Sequence, residues 1–460
     1  MKLDGAVTRP LWWDAVPTEP TRPRLEGAHE ADVVIVGAGF TGLWCAYHLA
    51  RLRPGLAITV VEATHVGFGA SGRNGGWCHA EYPLGREVLE ADHGRDAARA
   101  HIDALRQSVR DVGSLAAAEG IECDYHLGGV LAVARLGFQD GVAREEVASA
   151  VEFGDDPAEI RHLDADEARA MLGATSVVGG VWHAHGAAVQ PAKLVHGLAA
   201  AAERRGVTIF EASPVRSIGD RVVETDAGRV SAGMVVRATE GYTAGFAGRR
   251  REIVPLYSLM VATEPLPPEV WDVIGLADRP VFCDFRNLLI YGQRTADDRL
   301  AFGGRGAPYH FGSTVKPSFD IHDGVHRELV RVLLEMFPVL EGTKITHRWG
   351  GPLGVSRDWR PSVVCDHDAG FAWAGGYVGD GVATAQLAGR TLAELIAGEE
   401  TERTSLPWVG HTSRRWEIEP LRWVGINAGL QLAKRADRSE ERRQAPSRLA
   451  RIGNWLRGKG

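Results

Sequence analysis

Residues 33–62 read VVIVGAGFTGLWCAYHLARLRPGLAITVVE and leave few folds open. Residues 33–36 are a short β-branched run of the kind that forms a buried parallel strand. Gly37, Gly39 and Gly42 follow at once in a G-x-G-x-x-G pattern. Leu43, Ala46, Tyr47, Leu49 and Ala50 then keep helical spacing, and residues 58–61 supply a second strand that ends in Glu62. Together they predict a βαβ unit of about thirty residues. Each glycine answers a physical need: Gly37 the tight turn, Gly39 the approach of a pyrophosphate, Gly42 the close packing of helix on strand. Ala38, Phe40 and Thr41 complete a loop whose free amides and helix dipole favour an anion. Glu62 is placed to accept hydrogen bonds from ribose hydroxyls. The pattern predicts a dinucleotide site without choosing the dinucleotide.

A second stretch, GFGASGRNGGW at residues 67–77, holds five glycines in eleven residues. So bare a backbone implies that something packs directly against it. The 460 residues suffice for two or three domains. A net charge of -7 gives no global polycation for nucleic acid. Five scattered cysteines without a CxxC pair suggest a reducing compartment and no metal site. The N-terminus lacks a signal-peptide pattern, and no apolar run reaches the ~18 residues that span a bilayer. The expectation is a soluble cytoplasmic protein.

Further along, residues 1–28 read as a proline-rich arm carrying Trp12 and Trp13. Residues 86–119 predict one long helix, 129–134 a strand, and the sequence to about 172 acidic helix. Residues 193–205 predict a helix, 207–210 and 229–238 strands, 253–304 several strands, and 375–396 a glycine-rich turn feeding a helix. From His411 onward, twelve Lys or Arg stand against five Asp or Glu, punctuated by Trp416, Leu421, Trp423 and Leu430. Such a basic amphipathic tail suits anionic membrane or an acidic partner, or simply wraps the body in solvent.

Five segments occur in a telling order: ADVVIVGAGFTGLWCAYHLA, VVEATHVGFGASGRNGGW, AAVQPAKLVHGLAAAAERRGVTIFEASPV, VVRATEGYT and WAGGYVGDGVATAQLAGRTLAELI. Their order resembles the D-amino-acid oxidase superfamily of FAD enzymes, which includes glycine and sarcosine oxidases, and within it the gamma-glutamylputrescine oxidoreductase branch. The resemblance implies an α/β fold with a Rossmann-like FAD-binding domain and an antiparallel-sheet substrate domain. It divides the chain into the arm 1–28, an FAD domain of 29–118, 186–247 and 346–400, a substrate domain of 119–185 and 248–345, and a basic tail 401–460. It implies non-covalent FAD, with Cys78 near the flavin but not a tether. The glycine-rich loop would pass the ribityl chain and ring, using Ala63, Gly69, Ser71, Gly72, Gly75, Gly76 and Trp77, with Arg73 and Asn74 as polar contacts. Val215 would meet adenine through its backbone. Ala238 and Thr239 would close over the dinucleotide, with Glu240 where relatives often carry Asn. Gly379, Asp380, Gly381 and Val382 would open a helix aimed at the flavin, with Asp380 where His is common.

The implied chemistry is hydride transfer from the carbon beside an amine to flavin N5, giving an imine that hydrolyses to a carbonyl compound. The family's carboxylate anchors, two arginines and a lysine, fall on Leu353, Gly379 and Ala383, and an oxygen-activating lysine falls on Ala301. An amine, or a substrate whose acid lies far from its nitrogen, is therefore expected, with O2 as acceptor and H2O2 as product. Tyr257, Tyr291, Trp349, Arg305 and His79 are the pocket candidates. A dehydrogenase that passes electrons to a quinone or partner protein, and a non-catalytic flavin-binding redox sensor, are the competing readings.

Overall fold

The computed structural model describes Leu3 and residues 5–449. Residues 450–460 of the expected tail lie outside them. Two eight-stranded sheets carry the fold. In the first, Gly27–Val36 is flanked in parallel by Ile58–Val61 and Gly228–Arg237. Thr208–Phe210 and Phe371–Gly375 extend the parallel set, and Ser362–Asp366 closes one edge antiparallel. A hairpin of Val215–Ile218 and Val222–Thr225 hangs on Gly228–Arg237. The helices Phe40–Leu52, Pro191–Glu203 and Gly381–Ile396 bury their apolar faces in one large core. Gly389 lets Gly381–Ile396 press on Phe40–Leu52: a Cβ there would lie 2.6 Å from Cβ of Trp44.

The second sheet runs Ile345–Ser356, Ile253–Thr263, Leu300–Arg305, Ile290–Arg294, Val281–Asp284, Val130–Ala134, Gly179–His183, Ile160–Leu163. Every pairing is antiparallel except Val281–Asp284 with Val130–Ala134, which is parallel. The strand Ile345–Ser356 pairs with Ile253–Thr263 from end to end. The domain boundary expected at 346 therefore falls inside a substrate-sheet strand.

Local chemistry accounts for other departures. The single helix expected over 86–119 is two, Arg86–His93 and Arg95–Ala118, because Gly94 adopts φ +82 between them. The acidic stretch up to 172 is not all helix. Gly154, at φ +106, ends Gly137–Phe153, and a strand intervenes. The side chain of Asp164 then accepts from the amides of Asp166 and Glu167 to start Ala165–Met171. Nor is 401–449 merely a solvated wrap. Leu406 and Trp408 are buried in the dinucleotide-side core, Trp416 sits in a cluster with Val254 and Tyr309, and Leu421–Arg443 is a 23-residue helix.

Candidate active site

A cavity of about 870 Å³ is lined from both sheets. One end is formed by Gly37, Gly39, Phe40, Thr41, Glu62, Ala63, Val215, Ala238 and Thr239. Glu62 Oε2 accepts from Ala38 N at 2.9 Å and Oε1 from Thr64 N at 3.0 Å, which fixes its carboxylate at the strand end. Burial raises its pKa, and these amides oppose the rise. Ser71 Oγ accepts from Phe40 N at 2.8 Å and so ties the glycine-rich loop to the first helical turn. Ala38 and Gly42 do not line the cavity. Gly42 instead lets the helix rest on its strand, since a Cβ there would collide with Gly37 O and meet Ile35.

The glycine-rich loop differs from expectation in a specific way. Gly69 lines the cavity, but a side chain on Gly72 would strike Gly67 O, and one on Gly76 would strike Gln293 and Val189 O. Gly75 lines the cavity too, yet its Cβ would sit 2.6 Å from the Tyr291 ring. At 72, 75 and 76 the missing side chains make room for the protein itself. Arg73 and Asn74 both line the cavity and are also held by the protein: Arg73 is 6% exposed, bonds Asp320 at 2.7 Å, and donates to Phe68 O and Gly350 O. Asn74 is likewise absorbed by Ala70 O, Ser71 O and Gly76 N. Trp349 does not wall the cavity. It is buried against Trp12 and donates to Arg73 O, bracing the loop from behind. Cys78 is buried in the core, and burial pushes its thiol pKa up, so it presents no thiolate.

The other end is made of side chains. Tyr291 lines it, its hydroxyl 2.8 Å from Ser258 Oγ. Tyr257, one residue before Ser258, points to the opposite face of the strand, against His310 and Phe319. Ser258 and Met260 are the cavity residues of that strand. Trp77 stands edge-on to both Tyr291 and His79. Leu353 and Gly379 line the cavity, as the clamp positions should, and carry no charge. Ala383 and Ala301 are buried outside it. Arg305 enters from another strand: its Nη2 lies 3.2 Å from where a Gly379 Cβ would be and donates to Val378 O at 2.5 Å. Among the described residues it makes no ion pair.

Three acids and a histidine complete this end. His79 Nε2 lies 3.4 Å from both Asp380 Oδ1 and Glu81 Oε2. Burial disfavours its charge, but the bonds to Asp380 and Glu81 prevail and push its pKa up to about 10. Asp380, at the mouth of the helix Gly381–Ile396, is thus compensated by an imidazolium. Glu146, from the helix Gly137–Phe153, also lines the cavity, with no ion pair or hydrogen bond among the described residues. Burial, then Glu81, raise its pKa to about 7. No local motif announces Glu146 or Glu81. Glu240 is structural: it accepts from the amides of Gly354, Gly376 and Tyr377, stapling the substrate sheet to the turn before Gly381–Ile396.

The profile of the FAD dependent oxidoreductase (DAO) family matches residues 32–395. The chain belongs to this family.

Among curated proteins, it is 32% identical over 375 residues to gamma-glutamylputrescine oxidoreductase of Escherichia coli K12, covering 80% of this chain and 84% of that one. It is 30% identical over 399 residues to the probable oxidoreductase OrdL of Rhizobium meliloti, covering 85% and 89%. Among solved structures, glycine oxidase from Geobacillus kaustophilus aligns with a TM-score of 0.69 at 19% identity, over 84% of this chain and all of that one, which shows the shared fold. The cavity of this FAD-dependent oxidoreductase fits its cofactor on chemical grounds. A helix N-terminus and a glycine surface face the place of a pyrophosphate, and a fixed carboxylate faces that of a ribose. Gly37, Gly39, Phe40, Thr41, Glu62, Ala63, Gly69, Ser71, Val215, Ala238 and Thr239 would hold the dinucleotide, and Gly379, Asp380, Gly381 and Val382 would border its reactive end.

Proposed function

We propose that the protein oxidises the C–N bond of an amine whose acid group, where it has one, lies well away from the reacting nitrogen. FAD, when bound without a covalent link, supplies the hydride acceptor, and the imine product hydrolyses to a carbonyl compound. The observation that carries the reading is Arg305. It reaches the spot bounded by Leu353 and Gly379, where no α-carboxylate clamp stands, and has no carboxylate partner among the described residues. An unpaired cation in a partly closed cavity favours an anionic group on the ligand. Glu146 and Glu81 give the cavity an acidic side suited to a protonated amine. Tyr291 and Trp77 supply flat walls, and Ser258 holds the Tyr291 hydroxyl in place. A gamma-glutamyl amine combines the two required charges, and the likeness to gamma-glutamylputrescine oxidoreductase supports that class. We place O2 as the acceptor, with H2O2 released, and the protein in the cytoplasm.

The test is anaerobic bleaching of the flavin by gamma-glutamyl amines, free diamines, glycine, sarcosine and D-alanine at equal concentration. Gamma-glutamyl amines should bleach fastest. Faster bleaching by glycine or sarcosine sinks the reading. Peroxide in an oxygen electrode separates an oxidase from a dehydrogenase.

A further inference from the structure

We infer that the outer face of the C-terminal helix Leu421–Arg443 docks on the surface of an anionic lipid bilayer. The helix has two unlike sides. Inward, Asp437 accepts from the amides of Asn287 and Leu288 at 2.7 and 3.1 Å, Glu440 from Asn287 Nδ2 at 2.9 Å, and Lys434 donates to Gly306 O. Two of the helix's three acids are thereby turned toward the body. Outward, a stripe at helical spacing is exposed along its whole length: Leu421, Val424, Ala428, Gln431, Arg435, Arg438 and Arg442. It is apolar at its start and cationic at its end, with Glu441 on the flank.

The apolar start is part of a larger patch. Leu421 is 63% exposed, Val424 53%, Ile418 59% and Trp423 42%. Phe311, 59% exposed, joins them, because Gly312 N donates to Glu419 Oε1 and Tyr309 N to Asn427 Oδ1. Large apolar side chains grouped on a surface mark a contact site. Its surroundings select the partner. Trp416 N donates to Arg251 O, and Arg422 Nη1 to Arg250 O, which brings Arg250, Arg414 and Arg415 to the same side of the molecule. These three arginines are exposed and make no ion pair among the described residues. The overall charge is -7, so this local excess of cations runs against the rest of the chain. Apolar groups that enter an interface beside arginines that meet lipid phosphate are the two signals that hold a helix on a membrane surface. Residues 450–460, outside the described region, add Arg451, Arg457 and Lys459 in sequence.

The experiment uses the full chain with its flavin and vesicles of phosphatidylcholine, with and without phosphatidylglycerol. Co-sedimentation should rise with phosphatidylglycerol and fall at high salt. The pair Leu421→Glu with Val424→Glu, and separately Arg435→Glu with Arg438→Glu, should each lower the partition at least tenfold while flavin content stays unchanged. Equal sedimentation with both vesicle types overturns the inference. So does either double variant binding as the parent does. Light scattering that shows a dimer broken by the first pair, with vesicles left unbound, assigns the patch to a second copy and also overturns it.

Discussion

The two ends of the cavity are built by different means. At the dinucleotide end, backbone does the work: amides at a helix start, glycine surfaces, and a carboxylate pinned by Ala38 N and Thr64 N. At the substrate end, side chains converge from several strands and helices, and two titratable ones, Arg305 and Glu146, have no ion-pair partner among the described residues. A site made of backbone is fixed once the chain turns correctly and serves one ligand class. A site made of unmatched side chains is where a family changes substrate without changing fold.

The comparison breaks most completely at Gly39. Replacing Gly39 with Trp should abolish flavin binding, because even a Cβ there would lie 2.9 Å from Ser71 Oγ, which holds the first helical turn. The purified variant should lack absorbance near the flavin band yet keep its circular dichroism. A yellow, folded variant would show that the cofactor lies elsewhere. Glu240, the link between the two ends, comes next. Its loss in Glu240→Ala leaves three buried amides without their acceptor, at about 1–3 kcal/mol for each group left unsatisfied. The melting temperature should fall by several degrees. An unchanged value would mean that Glu240 does not hold the sheets together.

The contrast in construction also governs what was legible from sequence. Most of the dinucleotide end is contiguous: Gly37, Gly39, Glu62 and the 67–77 loop lie within forty-odd residues, and only Val215, Ala238 and Thr239 come from farther along the chain. The substrate end has no such grammar. Tyr257 was the natural choice for a pocket wall, but strand alternation puts Ser258 and Met260 there, and a one-residue slip reverses the face. Trp349 was legible as important but not as what it is, a brace behind the loop, and nothing local in the sequence shows that Arg73 of the loop pairs with Asp320. Glu146 lies on a helix seventy residues from Arg73 and reaches the cavity only because that helix packs beside the second sheet. Position 94 shows the same limit locally: alanine-rich helical sequence hid a glycine whose positive φ splits the helix.

Arg305 tests the substrate end directly. If it receives a distant carboxylate, Arg305→Leu should raise KM or Kd for an acid-bearing amine by tenfold to a hundredfold, about 1.5–3 kcal/mol for a charged hydrogen bond. An uncharged amine of the same length should lose little. Equal losses on both would assign Arg305 to holding the Val378 turn instead.

Glu146 gives the smallest effect and the finest discrimination. Burial, then Glu81, hold its pKa near 7, with Glu87 adding repulsion and Arg86 opposing it. His79 stays protonated through this range, since its own pKa lies at about 10. Below pH 7 Glu146 is therefore largely neutral, and above it the carboxylate is present to meet a protonated amine. Anaerobic Kd for a cationic amine should tighten as pH rises through 7. In Glu146→Gln that limb should flatten, with a loss of about tenfold at pH 8, equivalent to 1.4 kcal/mol. Stability should move the opposite way. A carboxyl whose folded pKa is raised stabilises the protein fully below its unfolded value, and that contribution is lost as pH climbs through the folded one. The variant should accordingly gain melting temperature relative to the parent at pH 8 but not at pH 4. If Kd for the amine keeps the same pH profile in Glu146→Gln, the profile belongs to the substrate's own nitrogen, and the acidic side of the cavity does not select for charge.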